Sequence, residues 1–169
     1  MRRILIILGM IVVWNSHIFS QTEVGKVQAY FIYNFSRLIK WPASYAQGDF
    51  VIGVLGNSNI YQNLVELTSN KKVGMQTMVV KRFSSPGELA DCHILFISAD
   101  NSTKINEINR RLINKHTLII SESDGLIDSG SAIDFLIVDN KLRFKLNIGN
   151  AEKYNLAVSK SLLDMAMVN

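Results

Sequence analysis

The apolar positions of the chain recur with two different spacings. Short apolar runs predict four buried strands, at 50–56, 77–82, 92–98 and 117–121. Between them, apolar residues three or four positions apart predict a helix over 60–68 and a second one that begins after Ser102 or Thr103, with Ile105, Ile108, Leu112 and Ile113 on its buried side. This alternation of strands and helices predicts an α/β sandwich around a mostly parallel, Rossmann-like sheet.

The pattern changes in the last third of the chain. Two apolar strands, 133–138 and 142–146, flank Asp139-Asn140-Lys141, which is typical of a hairpin turn. They predict an antiparallel hairpin at the edge of the sheet. An amphipathic pattern over 151–168 predicts one closing helix. Residues 21–169 are therefore expected to form a single domain.

Residues 27–42 predict one helix that ends at a Trp-Pro pair. Apolar groups at helical spacing give it a face that is expected to lie in the core, formed by Val24, Val27, Phe31, Phe35 and Leu38. A second face carries aromatic and cationic groups at the same spacing, namely Tyr30, Tyr33, Arg37 and Trp41. Because Tyr, Trp and Arg often anchor interfaces, this face is a candidate surface for a partner or for a homodimer. The alternative is a second core layer in which Arg37 stacks on Trp41.

The N-terminus has the layout of a secretory signal. Arg2-Arg3 precede an apolar run over 4–14, and small or polar residues follow up to Ser20. The run is too short to span a bilayer, which takes about 20 residues. We expect a cleaved signal peptide over 1–20 and a periplasmic protein; an uncleaved N-terminal anchor is the alternative. The net charge of +4 includes the two signal arginines, and no basic cluster longer than a pair remains, so nucleic acid is not an expected partner.

Few residues offer chemistry of their own. Cys92 is the only cysteine, so no internal disulfide can form, and we expect a buried thiol or an intermolecular link. His93 and His116 have no second metal-binding side chain at ligand spacing, so neither a metal nor another cofactor is expected. No nucleophile motif is present, and the chain is not expected to be an enzyme.

A small-molecule site is a second possibility. Ligands of open α/β sheets bind at the carboxyl ends of the strands, where this sequence places Gly56, Asn57, Ser98 and Asp124. Four carboxylates gather around the last of these positions, at Glu122, Asp124, Asp128 and Asp134. Such residues can act in acid–base catalysis or bind calcium, but their spacing fits no EF-hand. We interpret the segment as a solvated loop.

Several motifs occur in an order that resembles the YfiR-like family of exported bacterial proteins. They are the aromatic helix with Ile39-Lys40-Trp41-Pro42, the strand at 50–56, the segment Asp91-Cys92-His93-Ile94-Leu95-Phe96-Ile97-Ser98, the Ser123-Asp124-Gly125-Leu126 loop with Gly130, the strand Leu142-Arg143-Phe144-Lys145-Leu146-Asn147, and Ser159-Lys160-Ser161-Leu162-Leu163 in the closing segment. The resemblance covers nearly all of the chain after the signal.

The resemblance implies a regulator rather than an enzyme. It implies a periplasmic protein that restrains an inner-membrane diguanylate cyclase through that enzyme's periplasmic sensor domain, and so controls cyclic di-GMP and biofilm formation. Relatives that accompany sensor histidine kinases imply a kinase as the alternative membrane partner. Family members often carry cysteine pairs linked to redox control, and the single Cys92 departs from that pattern.

Overall fold

The computed structural model describes residues 21–167, so the predicted signal peptide lies outside the described residues. The strands are β1 Ile39–Lys40, β2 Phe50–Leu55, β3 Lys72–Val73, β4 Gln76–Phe83, β5 Ile94–Ile97, β6 Leu118–Ser121, β7 Ile133–Val138, β8 Lys141–Leu146 and β9 Ala157–Val158. The helices are α1 Gln21–Leu38, α2 Ile60–Thr68, α3 Ile105–Arg111, α4 Ile148–Glu152 and α5 Lys160–Met165. No helix in this part of the chain is both long and apolar enough to cross a membrane.

Seven of the strands form one sheet in the order β3-β4-β2-β5-β6-β7-β8. The five central strands are parallel, and an antiparallel partner closes each edge. The hairpin between β7 and β8 turns at Asp139 and Asn140, which both have positive φ, as a two-residue turn of this kind requires. A separate two-stranded sheet pairs β1 with β9. The predicted fold class, an α/β sandwich with a mostly parallel sheet and an antiparallel edge hairpin, is confirmed.

The direction of strand addition reverses between β2 and β5. From β2 the chain passes through α2 to β4 on one side, whereas from β5 it passes through α3 to β6 on the other side. Right-handed crossovers in opposite directions place their helices on opposite faces of a sheet. Accordingly, one core cluster joins Ile52 with Leu64 of α2, and a second joins Leu95 with Ile108 of α3.

Helix α1 covers the same face as α2 and closes the aromatic part of the core. Phe35 is fully buried, and its ring centre lies 5.0 Å from that of Phe144 on β8. Phe31 lies 5.4 Å from the same ring. Gly25 allows α1 to approach α2, because a Cβ at this position would lie 2.8 Å from the Asn63 side chain. The core face of α1 is thus centred on Ile32 and Phe35, while the other predicted core residues are only half-buried, namely Val24, Val27, Phe31 and Leu38.

The prediction that the first helix extends to Pro42 is wrong. The helix ends at Leu38, and the chain continues in the extended conformation of β1, where Ile39 pairs with Val158. Proline disfavours the helical conformation of the residue before it, so Trp41 cannot extend the helix. Trp41 consequently lies beyond the helix and does not share a helical face with Tyr30, Tyr33 and Arg37.

The single closing helix predicted over 151–168 is also wrong. The short helix α4 ends at Glu152, Asn155 adopts a left-handed conformation with φ of 55°, and β9 and α5 follow. The strand pairing of β9 with β1 prevails over the helical pattern in this segment. Asn147 caps α4, where its side chain accepts a hydrogen bond from the Asn150 N–H.

Two further expectations about burial are wrong. Ile113 lies past the end of α3 and is 67% exposed, so it does not belong to the helix's buried face. Asp134 is fully buried rather than part of a solvated loop. Its carboxylate accepts hydrogen bonds from the N–H groups of Leu126 (2.7 Å) and Ile127 (2.9 Å) and from the Ser131 hydroxyl. Burial raises the pKa of the Asp134 carboxyl, and this effect outweighs that of the three hydrogen bonds, which lower the pKa.

Candidate functional site

The outer side of α1 carries an exposed aromatic surface. Tyr30 lies in the middle of the helix, and 59% of its surface is exposed. One turn further on, Tyr33 is half-buried and holds two cations against its ring. The Arg37 guanidinium carbon lies 5.9 Å from the ring centre, and Lys71 Nζ lies 5.8 Å from it. We call Tyr30, Tyr33, Arg37 and Lys71 the helix surface.

The cations of the helix surface have no acidic partner. In the part of the chain that the structure describes, neither Arg37 nor Lys71 forms an ion pair. A groove of about 400 Å³ runs between α1 and α2, and Lys71, Tyr30 and Glu66 line it. Because the aromatic rings and the two cations are partly exposed, the surface offers the side-chain types that anchor protein partners.

Trp41 lies apart from the helix surface, in a second aromatic cluster. Its indole N–H donates to the carbonyl oxygens of His93 (3.2 Å) and His116 (2.9 Å), and its ring centre lies 5.0 Å from that of Phe50. The indole thereby ties the chain after β1 to the segments that enter β5 and β6. Arg37 stacks on Tyr33 and not on Trp41, so the Arg37–Trp41 stack of the alternative interpretation is not formed.

Three of the four candidate ligand residues meet at the carboxyl ends of the strands. Gly56 has a φ of 93°, and its Cα faces the side chains of Ser98 and Asn101 so closely that no Cβ would fit. The Ser98 hydroxyl is buried and donates to the Leu55 carbonyl oxygen at 2.7 Å, so it stabilises the turn after β2. Asn57, in contrast, is exposed and faces open space.

Asp124 is not brought to the same place. Its carboxylate forms a salt bridge with Lys145 of β8 at 2.8 Å, and it lines neither of the two clefts that Asn57 lines. The structure therefore unites Gly56, Asn57 and Ser98 and separates Asp124 from them.

A cleft opens at the carboxyl ends of the strands where strand addition reverses, and of the four candidate ligand residues only Asn57 lines it. The cleft has a volume of about 590 Å³, and we call it the switch-point cleft. The residues lining it come from α1, from the turns after β2, β5 and β6, and from the hairpin: Val24, Gly25, Gln28, Asn57, Ser58, Asn59, Ala99, Glu122, Leu136, Ile137 and Leu142. Gln28 was missed, and Glu122 was interpreted as part of a solvated loop, because only the strand order brings the two residues together.

Glu122 is held in place from two sides. Its carboxylate accepts hydrogen bonds from the Ser58 hydroxyl and from the Ala99 N–H, both at 2.8 Å. These contacts connect the turns that follow β2, β5 and β6. Each oxygen of the carboxylate accepts one bond and has capacity for another.

The single cysteine is not a reactive group. Cys92 is 2% exposed, and burial raises the pKa of its thiol to about 12. The thiolate, which is the nucleophilic form, is therefore negligible at neutral pH.

A family model described as YfiR/HmsC-like matches residues 25–167, which is nearly all of the described chain. No curated protein matches the sequence.

Proposed function

The chain belongs to the YfiR/HmsC-like family, and on this premise we propose that it is a periplasmic regulator of an inner-membrane signalling protein. The membrane partner we propose is a diguanylate cyclase, which the regulator restrains by binding the cyclase's periplasmic sensor domain. A sensor histidine kinase is the alternative partner. In this proposal the protein acts by binding and has no catalytic role.

The observation that carries the proposal is the exposed Tyr30 at the centre of the helix surface. A side chain that served only the core would not leave more than half of its surface in water. Beside it, Tyr33 pre-orders Arg37 and Lys71 by cation–π contacts, which reduces the entropy lost when a partner binds. Family membership is consistent with such a regulator.

Restraint requires that the protein distinguish two states of its partner. A ligand shifts a conformational equilibrium only by the difference between its affinities for the two states. We propose that the helix surface binds the inactive form of the sensor domain more tightly than the active form. Release of the regulator then restores the output of the membrane protein.

Complementation of a deletion strain tests the proposal. We expect the deletion to raise cellular cyclic di-GMP, and the unmutated gene to lower it again. Tyr30→Ala and Arg37→Ala should fail to restore restraint, although both side chains are exposed and the variants keep their fold by circular dichroism. Arg110→Ala, at an exposed position on the opposite helix α3, is the matched control and should restore restraint.

Two results would contradict this assignment. If the helix-surface variants restore restraint as well as the Arg110 variant does, the partner binds elsewhere. If the deletion leaves cyclic di-GMP unchanged but alters a kinase-dependent reporter, the partner is a histidine kinase and not a cyclase.

A further inference from the structure

The switch-point cleft lies where an open α/β sheet offers its ligand site. The parallel strands have the order β4-β2-β5-β6-β7, and ligands of such sheets bind beyond the carboxyl ends of the two strands where the order reverses. Those strands are β2 and β5, and the turns that follow them contribute Asn57, Ser58, Asn59 and Ala99 to the cleft. We propose that the switch-point cleft binds a small amphipathic molecule that carries a protonated amino group. The inference does not depend on the proposed membrane partner.

Gln28 marks the floor of this cleft as a polar contact point. Its side chain is 3% exposed and lines the cleft from α1. Its amide has no hydrogen-bond partner among the described residues, and it is not shut off from water, since no fully buried side-chain nitrogen or oxygen in this part of the chain lacks a partner. A ligand that replaces water at this nearly buried amide supplies hydrogen bonds where they are stronger than in open solvent.

The charge of the cleft selects the class of ligand. Glu122 is its one charged lining residue among those described, and no lysine or arginine lines it. Two hydrogen bonds hold its carboxylate in a fixed position before any ligand arrives. A cationic group is therefore favoured at this end of the cleft, and an anion would be repelled without a compensating base.

The opposite wall explains why the ligand has an apolar part. Ile137 and Leu142 face each other across the hairpin and line the cleft together with Val24. Ile137 is 56% exposed, so a ligand that covers it removes apolar surface from water. An amine reaching Glu122 and an apolar body resting on this wall would use both sides of the cleft.

Three probes of equal shape and different charge test the inference. We would titrate the purified protein with phenethylamine, phenethyl alcohol and hydrocinnamate, and follow backbone amide shifts by NMR. The expected order of affinity is amine, then alcohol, then carboxylate, with about ten-fold between the first and the last, as one partly exposed ion pair provides. The shifts should concentrate at Gly25, Asn57, Ala99 and Ile137.

Two variants separate ligand binding from folding. Ile137→Arg changes an exposed residue, so the fold should persist, while the new cation at the cleft should abolish the preference for the amine. Gln28→Leu should weaken binding of the amine without lowering the melting temperature, because the Gln28 amide forms no hydrogen bond with another described residue and the two side chains are of similar size. A side chain that only supported the fold would lower the melting temperature when it is replaced.

The outcomes are distinct. The inference is supported by saturable binding in the expected order, with the preference for the amine abolished by Ile137→Arg and the affinity for the amine lowered by Gln28→Leu. Absence of saturable binding by all three probes would overturn the site, and equal or stronger binding of the carboxylate would overturn the charge class. A simple preference for the alcohol would also contradict the role of Glu122. None of these results bears on the helix surface, so the proposed membrane partner is tested separately.

Discussion

The ring of His93 accepts a hydrogen bond from the backbone N–H of Val51, at 3.1 Å from Nδ1. Because this nitrogen is the acceptor, it carries no proton, and the proton of the neutral ring is on Nε2, which lies 3.0 Å from the Tyr45 carbonyl oxygen. The ring also stacks on Phe50, with ring centres 4.4 Å apart. The neutral imidazole thus joins β2 to the loop that precedes it.

This arrangement predicts that stability falls in mildly acidic solution. Burial lowers the pKa of His93 below its ordinary value of 6.5, so the unfolded chain binds a proton near that pH and the folded chain does not. Stability should be complete above pH 6.5 and decline as the pH falls below it, by at most about 1.4 kcal/mol per pH unit. Urea unfolding at several pH values between about 7.5 and about 5 measures this slope, because this range brackets the ordinary pKa of histidine.

His93→Gln is the control for this effect. Its side-chain oxygen can accept the Val51 N–H bond, but it does not titrate, so the stability of the variant should change less between the same two pH values. If the variant keeps the full slope, another group causes the pH dependence.

Trp41 should be a residue of stability and not of partner binding. Trp41→Phe keeps an aromatic ring but loses the hydrogen bonds to the carbonyl oxygens of His93 and His116. We expect a loss of about 1–2 kcal/mol in the free energy of unfolding. Tyr30→Phe, which changes only an exposed side chain, should stay within about 0.5 kcal/mol. Both values come from urea titrations.

The deletion-strain assay gives the second readout for Trp41. Trp41→Phe should restore restraint as the unmutated chain does, since its ring lies away from the helix surface. A variant that is fully stable but loses restraint would show that Trp41 contacts the partner after all.

The sequence predicted well those elements whose own periodicity decides their structure. Helix α2 has the predicted bounds, and so does β7, because both have an uninterrupted pattern and turn residues on either side. The predictions failed where a distant segment decides. The helical pattern around Leu156 is real, but β9 pairs with β1 more than 100 positions earlier in the chain. For the first helix, the local sequence indicates an early end only at Pro42, because a proline disfavours the helical conformation of the residue before it.

The candidate site shows the same division. The exposure of Tyr30 follows from its own position on α1, and its candidate role could be inferred from side-chain spacing. The switch-point cleft could not, because Gln28, Glu122 and Ile137 come together only through the strand order. Composition and spacing carry no information about which turns become neighbours.

Asp134 should matter for its hydrogen bonds and not for its charge. Asp134→Ala leaves the buried N–H of Ile127 without an acceptor, and we expect a loss of about 2–4 kcal/mol. Asp134→Asn places an amide oxygen at the same point and can donate to Ser131, so it should cost less than about 1 kcal/mol. The raised pKa of Asp134 agrees with this expectation, since burial already disfavours the charged form.

Denaturant unfolding and amide hydrogen exchange check this prediction. In Asp134→Ala the exchange of the turn Ile127–Ser129 should accelerate more than that of the sheet. Asp128→Asn, in the same turn but exposed, is the matched control and should leave both measurements unchanged. An asparagine variant as unstable as the alanine variant would show that the charge is required.

Two glycines with similar positive φ angles should respond differently to substitution by alanine. Gly56 has a φ of 93° and Gly125 a φ of 103°, so a side chain is strained at either position, at a cost of about 1–2 kcal/mol. At Gly125 there is no heavy atom within 4 Å of the added Cβ, so the backbone strain alone should account for the loss of stability. At Gly56 the Cβ would overlap the side chains of Ser98 and Asn101, which are both buried. We therefore expect Gly56→Ala to lose at least about 2 kcal/mol more than Gly125→Ala in urea unfolding, since overpacking adds to the strain. Equal losses in the two variants would mean that the turn after β2 relaxes, and that the tight approach of Gly56 to Ser98 does not hold this edge of the sheet.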